Sequence, residues 1–443
     1  MSPLTRWTLN AAYCVAIGLA SPAIAWAAWR TGKYREGYGA KLFGRVPRRG
    51  GDRRCVWLHA VSVGEVNLLG VLIAEVRRRH PEWELVVSTT TKTGYDLARK
   101  KYGSEHTVFY APLDFSWATS EAMRRVRPDL LILAELELWP NLIDAAKRHG
   151  AKVAIVNGRL SENSFRGYRR LSSLVKGTLQ RLDVIAAQDD ATADRFRTLG
   201  ATSVTTTGSL KYDGAETDRN NPRTQELRAL AGFTDRDTVW LAGSTQSPEE
   251  AICLQVFQEL IEEHENLRLV LVPRHPERFE EVAELLEASG LSYVKRSQLA
   301  HQPRPSLVGV VSPSVLLVDT VGELGAWWGT ATLGFVGGSF GDRGGQNMIE
   351  PAAYGVATCF GPNTRNFRDI VTALTAADGA RTVPDEAALE AFLSGCLELP
   401  EEATALGERA RAFVATQLGA TARTAELLDA LFEETPIAEN AAA

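Results

Sequence analysis

Cysteine and histidine are too few and too scattered to organise this chain. Cys14, Cys55, Cys253, Cys359 and Cys396 are odd in number and far apart, with no C-x-x-C pair. That excludes a disulfide framework and a structural zinc site, and makes reducing cytosol the default compartment. D-x-D occurs once, as Asp235-Arg-Asp237, and precedes its apolar run. It lies at the wrong end of a strand for a metal-bound nucleotide and reads as loop chemistry. His275 has no second ligand at useful spacing, so no metal is expected. The glycine-rich stretch lacks the Lys-Ser/Thr of a Walker loop and does not spell the dinucleotide fingerprint. Internal repeats and low-complexity segments are also missing, apart from the Ala-rich last residues. A net charge of −5 gives no support for nucleic-acid binding.

What is present is 443 residues of ordinary globular composition, enough for two or three domains that each bury a core. From Trp7 to Trp29 no residue is charged, about 23 positions, enough to cross a bilayer. The run is Ala-rich, with Asn10 and Pro22 inside it. A cleaved signal peptide, with Ala23-Ile-Ala25 as its cleavage site, competes with a retained anchor. The dense cluster Arg30, Lys33, Arg35, Lys41, Arg45, Arg48, Arg49, Arg53 and Arg54 favours the anchor. It should hold the following domains in the cytoplasm and bind anionic headgroups of the inner membrane.

Between residues 50 and 215 short apolar runs alternate with helical patterns. Strands are expected at Cys55–Leu58, Leu85–Ser88, Thr107–Tyr110, Leu130–Leu133, Val153–Val156, Val184–Ala187 and Ser203–Thr206. Such alternation argues a doubly wound parallel sheet, which binds ligands beyond the carboxyl ends of its strands. Polar groups recur there: Glu65 in His59–Glu65, the hydroxyl-rich Thr89–Gly94, Glu135 and Glu137 in Glu135–Asn141, Arg159 in Asn157–Ser161, and Lys211 in Gly208–Asp213. Glu65 reads either as a general base or as a carboxylate complementing a helix dipole.

Asp213–Pro222 reads as a linker. A second α/β pattern follows, with strands at Thr238–Ala242, Leu269–Val272, Val315–Val318 and Ala331–Val336, and a short one near Val356. After them come Gly243–Gln246, Pro273–Arg278, Asp319–Leu324 and the glycine-rich Gly337–Pro351. In the last, a strand, five glycines and a helix opening at Gln346, Asn347 and Glu350 predict an anion site made of free backbone N–H groups. From about Glu401 to Glu434 the pattern is again helical and should pack back across the linker.

Two such domains with polar loops facing one cleft predict the GT-B arrangement: two Rossmann-like, doubly wound parallel-sheet domains behind an N-terminal membrane-anchor helix. The expected division is an anchor and basic segment over 1–48, an acceptor-binding domain over 49–215, a linker over 216–225, a nucleotide-sugar donor domain over 226–435, and a disordered tail over 436–443.

In order and spacing, these motifs resemble the bacterial Kdo transferases of lipopolysaccharide assembly. The resemblance runs from the anchor through His59–Glu65, Glu135–Asn141, Asn157–Ser161, Gly208–Asp213, Pro273–Arg278, Asp319–Leu324 and Gly337–Pro351 to Asn366-Phe367, nearly the whole chain. It implies transfer of 3-deoxy-D-manno-octulosonic acid (Kdo) from CMP-Kdo to a lipid A precursor, with inversion and without a cofactor. It also implies Glu65 as the base, Glu135 and Lys211 as stabilisers of the transition state, and Pro273, Arg274, Val321, Gly322, Glu323, Asn347, Met348, Ile349 and Glu350 as the CMP site. The family usually has His where this chain has Gln246 and Gln346; glutamine keeps hydrogen bonding but does not titrate near neutrality. The alternatives are a GT-B relative acting on another nucleotide sugar, and a membrane-tethered nucleotide-sugar binding protein without catalysis. The latter would need neither Glu65 nor Lys211.

Overall fold

The computed structural model describes residues 1–31, 35–299 and 314–433. Lys33 of the basic cluster, Glu434 and the tail expected over 436–443 lie outside them. The chain forms two compact units, one made of the residues up to Gly214 and a returning segment from Leu418, the other of Ala215–Gln417.

The first unit holds seven strands: β1 Cys55–Ala60, β2 Glu84–Thr89, β3 Thr107–Tyr110, β4 Leu130–Ala134, β5 Lys152–Gly158, β6 Val184–Ala187 and β7 Val204–Thr206. All pair in parallel, in the order β3-β2-β1-β4-β5-β6-β7. Helices cover both faces, so the inner strands are mostly apolar. On β1, Val56, Leu58 and Ala60 feed one core while Cys55 and Trp57 feed the other. The order reverses between β1 and β4, which marks the ligand-binding edge of such a sheet.

The second unit repeats the plan with β8 Thr238–Thr245, β9 Leu267–Pro273, β10 Tyr293–Lys295, β11 Val315–Leu317, β12 Leu333–Val336, β13 Ala357–Phe360 and β14 Ala380–Thr382. These are also all parallel, in the order β10-β11-β9-β8-β12-β13-β14, reversing between β8 and β12. Several details differ from the sequence reading, among them the start of a helix at Pro222, inside the expected linker, and the end of β11 before Val318. The edge strands β10 and β14 carry no long apolar run and were not anticipated. Ala331 and Thr332 precede β12 rather than belonging to it. The helix expected from Gln346 begins only at Ile349 and spans five residues, Ile349–Ala353.

The C-terminal helical stretch is broken at Gly419 (φ +87°) into Pro400–Gln417 and Ala420–Asp429. The second helix packs on the first unit, where Asp429 pairs with Arg79 (3.1 Å) and His80 (2.8 Å). Asp213, just before the chain leaves the first unit, accepts the N–H of Gly419 (2.7 Å) and that of Thr421.

The N-terminal helix Pro3–Thr31 is long and apolar enough over Pro3–Arg30 to cross a membrane. Trp7, Val15, Leu19, Trp26 and Trp29 are exposed. Asn10, which looked like a flaw in the apolar run, is buried and exchanges hydrogen bonds with the side chain and N–H of Ser116 (2.7 and 3.0 Å). Tyr13 donates to Asp114 at 3.0 Å. The basic cluster is not wholly available to lipid. Arg49 donates to the carbonyls of Val126 (2.9 Å) and Arg127 (3.0 Å), and Arg54 lies over the rings of Phe432 (4.2 Å) and Trp83 (5.2 Å).

Candidate active site

Glu65 enters the first sheet's ligand edge on the opening turn of the helix Val63–Arg79, capped by Ser62. Its carboxylate accepts the Ser62 hydroxyl and the Val61 N–H, both at 2.8 Å. This is a variant of the capping box, foreshadowed by the spacing Ser62-x-x-Glu65. Burial pushes the Glu65 carboxyl up, the two hydrogen bonds oppose that shift, and the charge of Glu135 adds to it. Capping and proton transfer are therefore both open to this group.

Glu135 follows β4 at φ +52°, a region that non-glycine residues seldom occupy. Its Oε1 stands 3.5 Å from Lys211 Nζ. Two residues on, Glu137 accepts the indole N–H of Trp139 at 2.7 Å. Burial raises the Glu137 carboxyl to about 7, with the charges of Glu65 and Glu135 adding to the rise and the Trp139 hydrogen bond opposing it. Two carboxyls, Glu65 and Glu137, both raised by burial beside the charge of Glu135, suit acid–base chemistry near neutrality. His59 is not part of it. Buried against Ser88 (2.9 Å), it is lowered to about 4 by desolvation and stays neutral.

Lys211 is placed indirectly. Asn157, at the end of β5 and fully buried, accepts the N–H of Leu210 at 2.9 Å and the Ser209 hydroxyl at 3.3 Å. The Thr89–Gly94 loop caps the next helix: Thr91 accepts the Gly94 N–H (3.1 Å) and donates to the Val61 carbonyl (3.1 Å).

In the second unit the glycine-rich turn corrects an expectation. Three of the N–H groups expected to be free for an anion, those of Gly338, Ser339 and Phe340, are occupied by the protein's own Glu249. That carboxylate is 1 % exposed and accepts four backbone N–H groups, from Gln246 (2.9 Å), Gly338 (2.7 Å), Ser339 (2.8 Å) and Phe340 (3.0 Å). Glycine is required at 337, where a Cβ would lie 2.7 Å from the Thr245 Cα and 2.8 Å from Glu249 Oε2.

Cations and a cavity remain beside it. Arg274, with Ser244, Pro273, Thr320, Val321 and Gly322, lines a cavity of about 260 Å³. Its guanidinium makes no hydrogen bond or ion pair with any described residue, but its charge opposes the burial that raises Glu350. Asn347 donates to Glu350 Oε1 (3.0 Å) and accepts the Ile349 N–H (3.1 Å), a tight turn just before the short helix. Met348 and Ile349 are buried in the core. Glu323 is held by Arg296 (2.9 Å to each oxygen), Arg223 (2.5 Å) and Thr320 (2.8 Å). Burial alone would raise its carboxyl, but these partners outweigh that and hold it low. Arg278 is likewise held, by Glu250 and Glu281.

Residues 36–214 match the family described as 3-Deoxy-D-manno-octulosonic-acid transferase (kdotransferase). The chain is 35% identical over 386 residues to a 3-deoxy-D-manno-octulosonic acid transferase of Bordetella pertussis, covering 84% of this chain and 86% of that one. It is 32% identical over 383 residues to that of Haemophilus influenzae, covering 85% and 87%. The chain belongs to the Kdo transferase family. Solved structures share the GT-B fold at low identity. A UDP-GlcNAc 2-epimerase from Neisseria meningitidis has a TM-score of 0.55 at 12% identity, covering 85% of this chain and 100% of that one. A glycosyltransferase from Rickettsia africae has 0.53 at 11%, covering 87% and 100%.

For a Kdo transferase of this sequence, the structure brings Glu65, Glu135 and Lys211 to one edge of the first sheet, and Pro273, Arg274, Val321 and Gly322 to one cavity. It does not turn Met348 or Ile349 outward, and it binds Glu323 internally. The sequence reading ranked Glu137 below Glu135 and did not single out Glu249; the adjacent Glu249-Glu250 pair was the only visible signal. Asp235 and Asp237 serve the loop before β8, pairing with Arg228 and Arg268, both at 3.0 Å. Among the described residues no group of three or more His, Cys, Asp or Glu could hold a metal ion.

Proposed function

We propose that this protein is an inverting, metal-independent glycosyltransferase that moves Kdo from CMP-Kdo to a lipid A precursor, lipid IVA, in lipopolysaccharide biosynthesis. The observation that carries this reading is the group Glu65, Glu135 and Glu137 with Lys211 at the reversal point of the first sheet. Glu65 takes the proton of an acceptor hydroxyl as that oxygen bonds to the anomeric carbon. The bond from that carbon to the CMP phosphate breaks, and its electron pair leaves with the phosphate. One displacement inverts the anomeric carbon. Lys211, steadied by Glu135, offsets charge as it develops, and Arg274 neutralises the departing phosphate. The N-terminal helix keeps the enzyme at the inner membrane, with both units on the cytoplasmic side, where a lipid acceptor is reached.

Purified full chain, given CMP-Kdo and lipid IVA, should yield a product heavier by whole Kdo residues, with CMP released and the rate unchanged by excess EDTA. Loss of activity that magnesium or manganese restores would overturn the metal-independent chemistry. The second reading, transfer from another nucleotide sugar, is favoured only by Gln246 and Gln346. Activity with a different donor and none with CMP-Kdo would establish it.

A further inference from the structure

Gln246 follows β8, and Gln346 lies in the loop after β12. These two strands pair where the second sheet reverses its order, the place where open α/β sheets take ligands. The two side chains converge on Gly338, which has φ +67°. A Cβ there would lie 3.2 Å from the side-chain nitrogen of each glutamine. Neither side-chain amide has a hydrogen-bond partner among the described residues, although Gln246 is only 8 % exposed. The backbone beneath them is fixed, because Glu249 binds the N–H of both Gln246 and Gly338.

Two unpartnered amides over a missing side chain await a ligand group. Each offers two N–H donors and one acceptor oxygen, and neither brings charge. That suits a sugar's hydroxyl and carboxyl oxygens better than a phosphate, for which Arg274 stands by in the cavity beyond Ser244. We propose that Gln246 and Gln346 form one uncharged subsite that reads the oxygen substituents of the transferred sugar and so sets which sugar the donor carries. This rests on the second unit being the donor-binding one.

The test uses full-length protein carrying Gln246→Ala, Gln346→Ala, both, or Gln246→His with Gln346→His. Calorimetry reads affinity for CMP and for CMP-Kdo, and steady-state rates are taken from pH 5.5 to 8. Each alanine should leave CMP affinity within about twofold and weaken CMP-Kdo about tenfold, the worth of one hydrogen bond. The double alanine should fall short of the product of the two, since both amides share one ligand. The double histidine, which keeps side chains on both positions should alanine impair folding, should add an inflection near pH 6–7 that the wild type lacks. Unchanged CMP-Kdo affinity, or equal loss for CMP, overturns the subsite. So does a wild type that binds CMP-Kdo no better than CMP. A wild type that binds CMP-Kdo better than CMP yet transfers nothing overturns the reaction proposed above and leaves the subsite standing.

Discussion

The side-chain oxygen of Asn157 accepts the main-chain hydrogen of Leu210 at 2.9 Å, one residue before Lys211. Asn157 sits at φ +53°, which asparagine tolerates better than alanine. Asn157→Ala should cost about 1–3 kcal/mol for the orphaned buried N–H and roughly 1–2 kcal/mol for the backbone. Asn157→Gly should cost less, since only the acceptor is lost. Both should lower kcat more than they change KM, because Lys211 loses its footing. Melting curves and steady-state rates on the two variants check this; unaltered kcat in both would detach Asn157 from the lysine.

Glu65→Gln retains one acceptor oxygen for the Ser62 and Val61 donors but not the basicity. Turnover should fall by about 10²–10⁴-fold, the worth of a positioned base, while CMP still binds. Ser62→Ala, which removes the cap, should instead cost about 1 kcal/mol of stability. Because burial raises Glu65, the acid limb of kcat/KM should lie above the ordinary carboxylate range. Near-normal turnover in Glu65→Gln with a lowered melting temperature would reduce the residue to a helix cap.

Glu137 carries a linkage signature. Its carboxyl is raised to about 7 in the fold from 4.5, so the folded state binds the proton more tightly than the unfolded one. The stability this confers is complete below about pH 4.5 and is lost as pH rises through 7. Glu137→Gln imitates the protonated form. It should match the wild type near pH 4.5 and exceed it at pH 8 by about 1–3 kcal/mol, after screening of a half-buried group is allowed for. Chemical denaturation at the two pH values decides; a pH-independent difference would refute the shift.

Arg274→Ala should weaken CMP binding by about 1.5–3 kcal/mol, the range for hydrogen bonds to charged groups. Arg274→Lys should restore only part, because lysine lacks the planar fork. Equal CMP affinity in wild type and Arg274→Ala, measured by calorimetry, would take this residue out of the site.

Glu249→Gln turns one of two buried acceptor oxygens into a donor facing N–H groups. It should cost about 2–4 kcal/mol, since up to two main-chain donors lose their partner. Glu280→Gln, on an exposed carboxylate paired with Lys295, should cost under about 1 kcal/mol. Similar melting temperatures for the two variants would contradict the role of Glu249 in the glycine-rich turn.

Both sheets were legible because buried parallel strands must be apolar on both faces, and runs such as Leu130–Ala134 and Leu269–Val272 are. The edge strands Tyr293–Lys295 and Ala380–Thr382 lack that requirement and left no such trace. Glu65, Glu135 and Lys211 could be picked out because each stands just past a strand. Glu249 could not, since its partners Gly338, Ser339 and Phe340 are about 90 residues away, and no local pattern announces who will fill a nest of N–H groups. The same distance hid the meeting of Gln246 and Gln346 over Gly338.

Asp213 holds the N–H groups of Gly419 and Thr421, so the chain departs from the first unit and rejoins it within a few residues of one carboxylate. Residues 215–417 are therefore a graft: their removal opens a gap that a few glycines and serines could suture between 214 and 418. The remainder would keep its seven-stranded sheet and its closing helix. The excised piece, with its ends close together, would be a portable cartridge, open to exchange between proteins of this architecture.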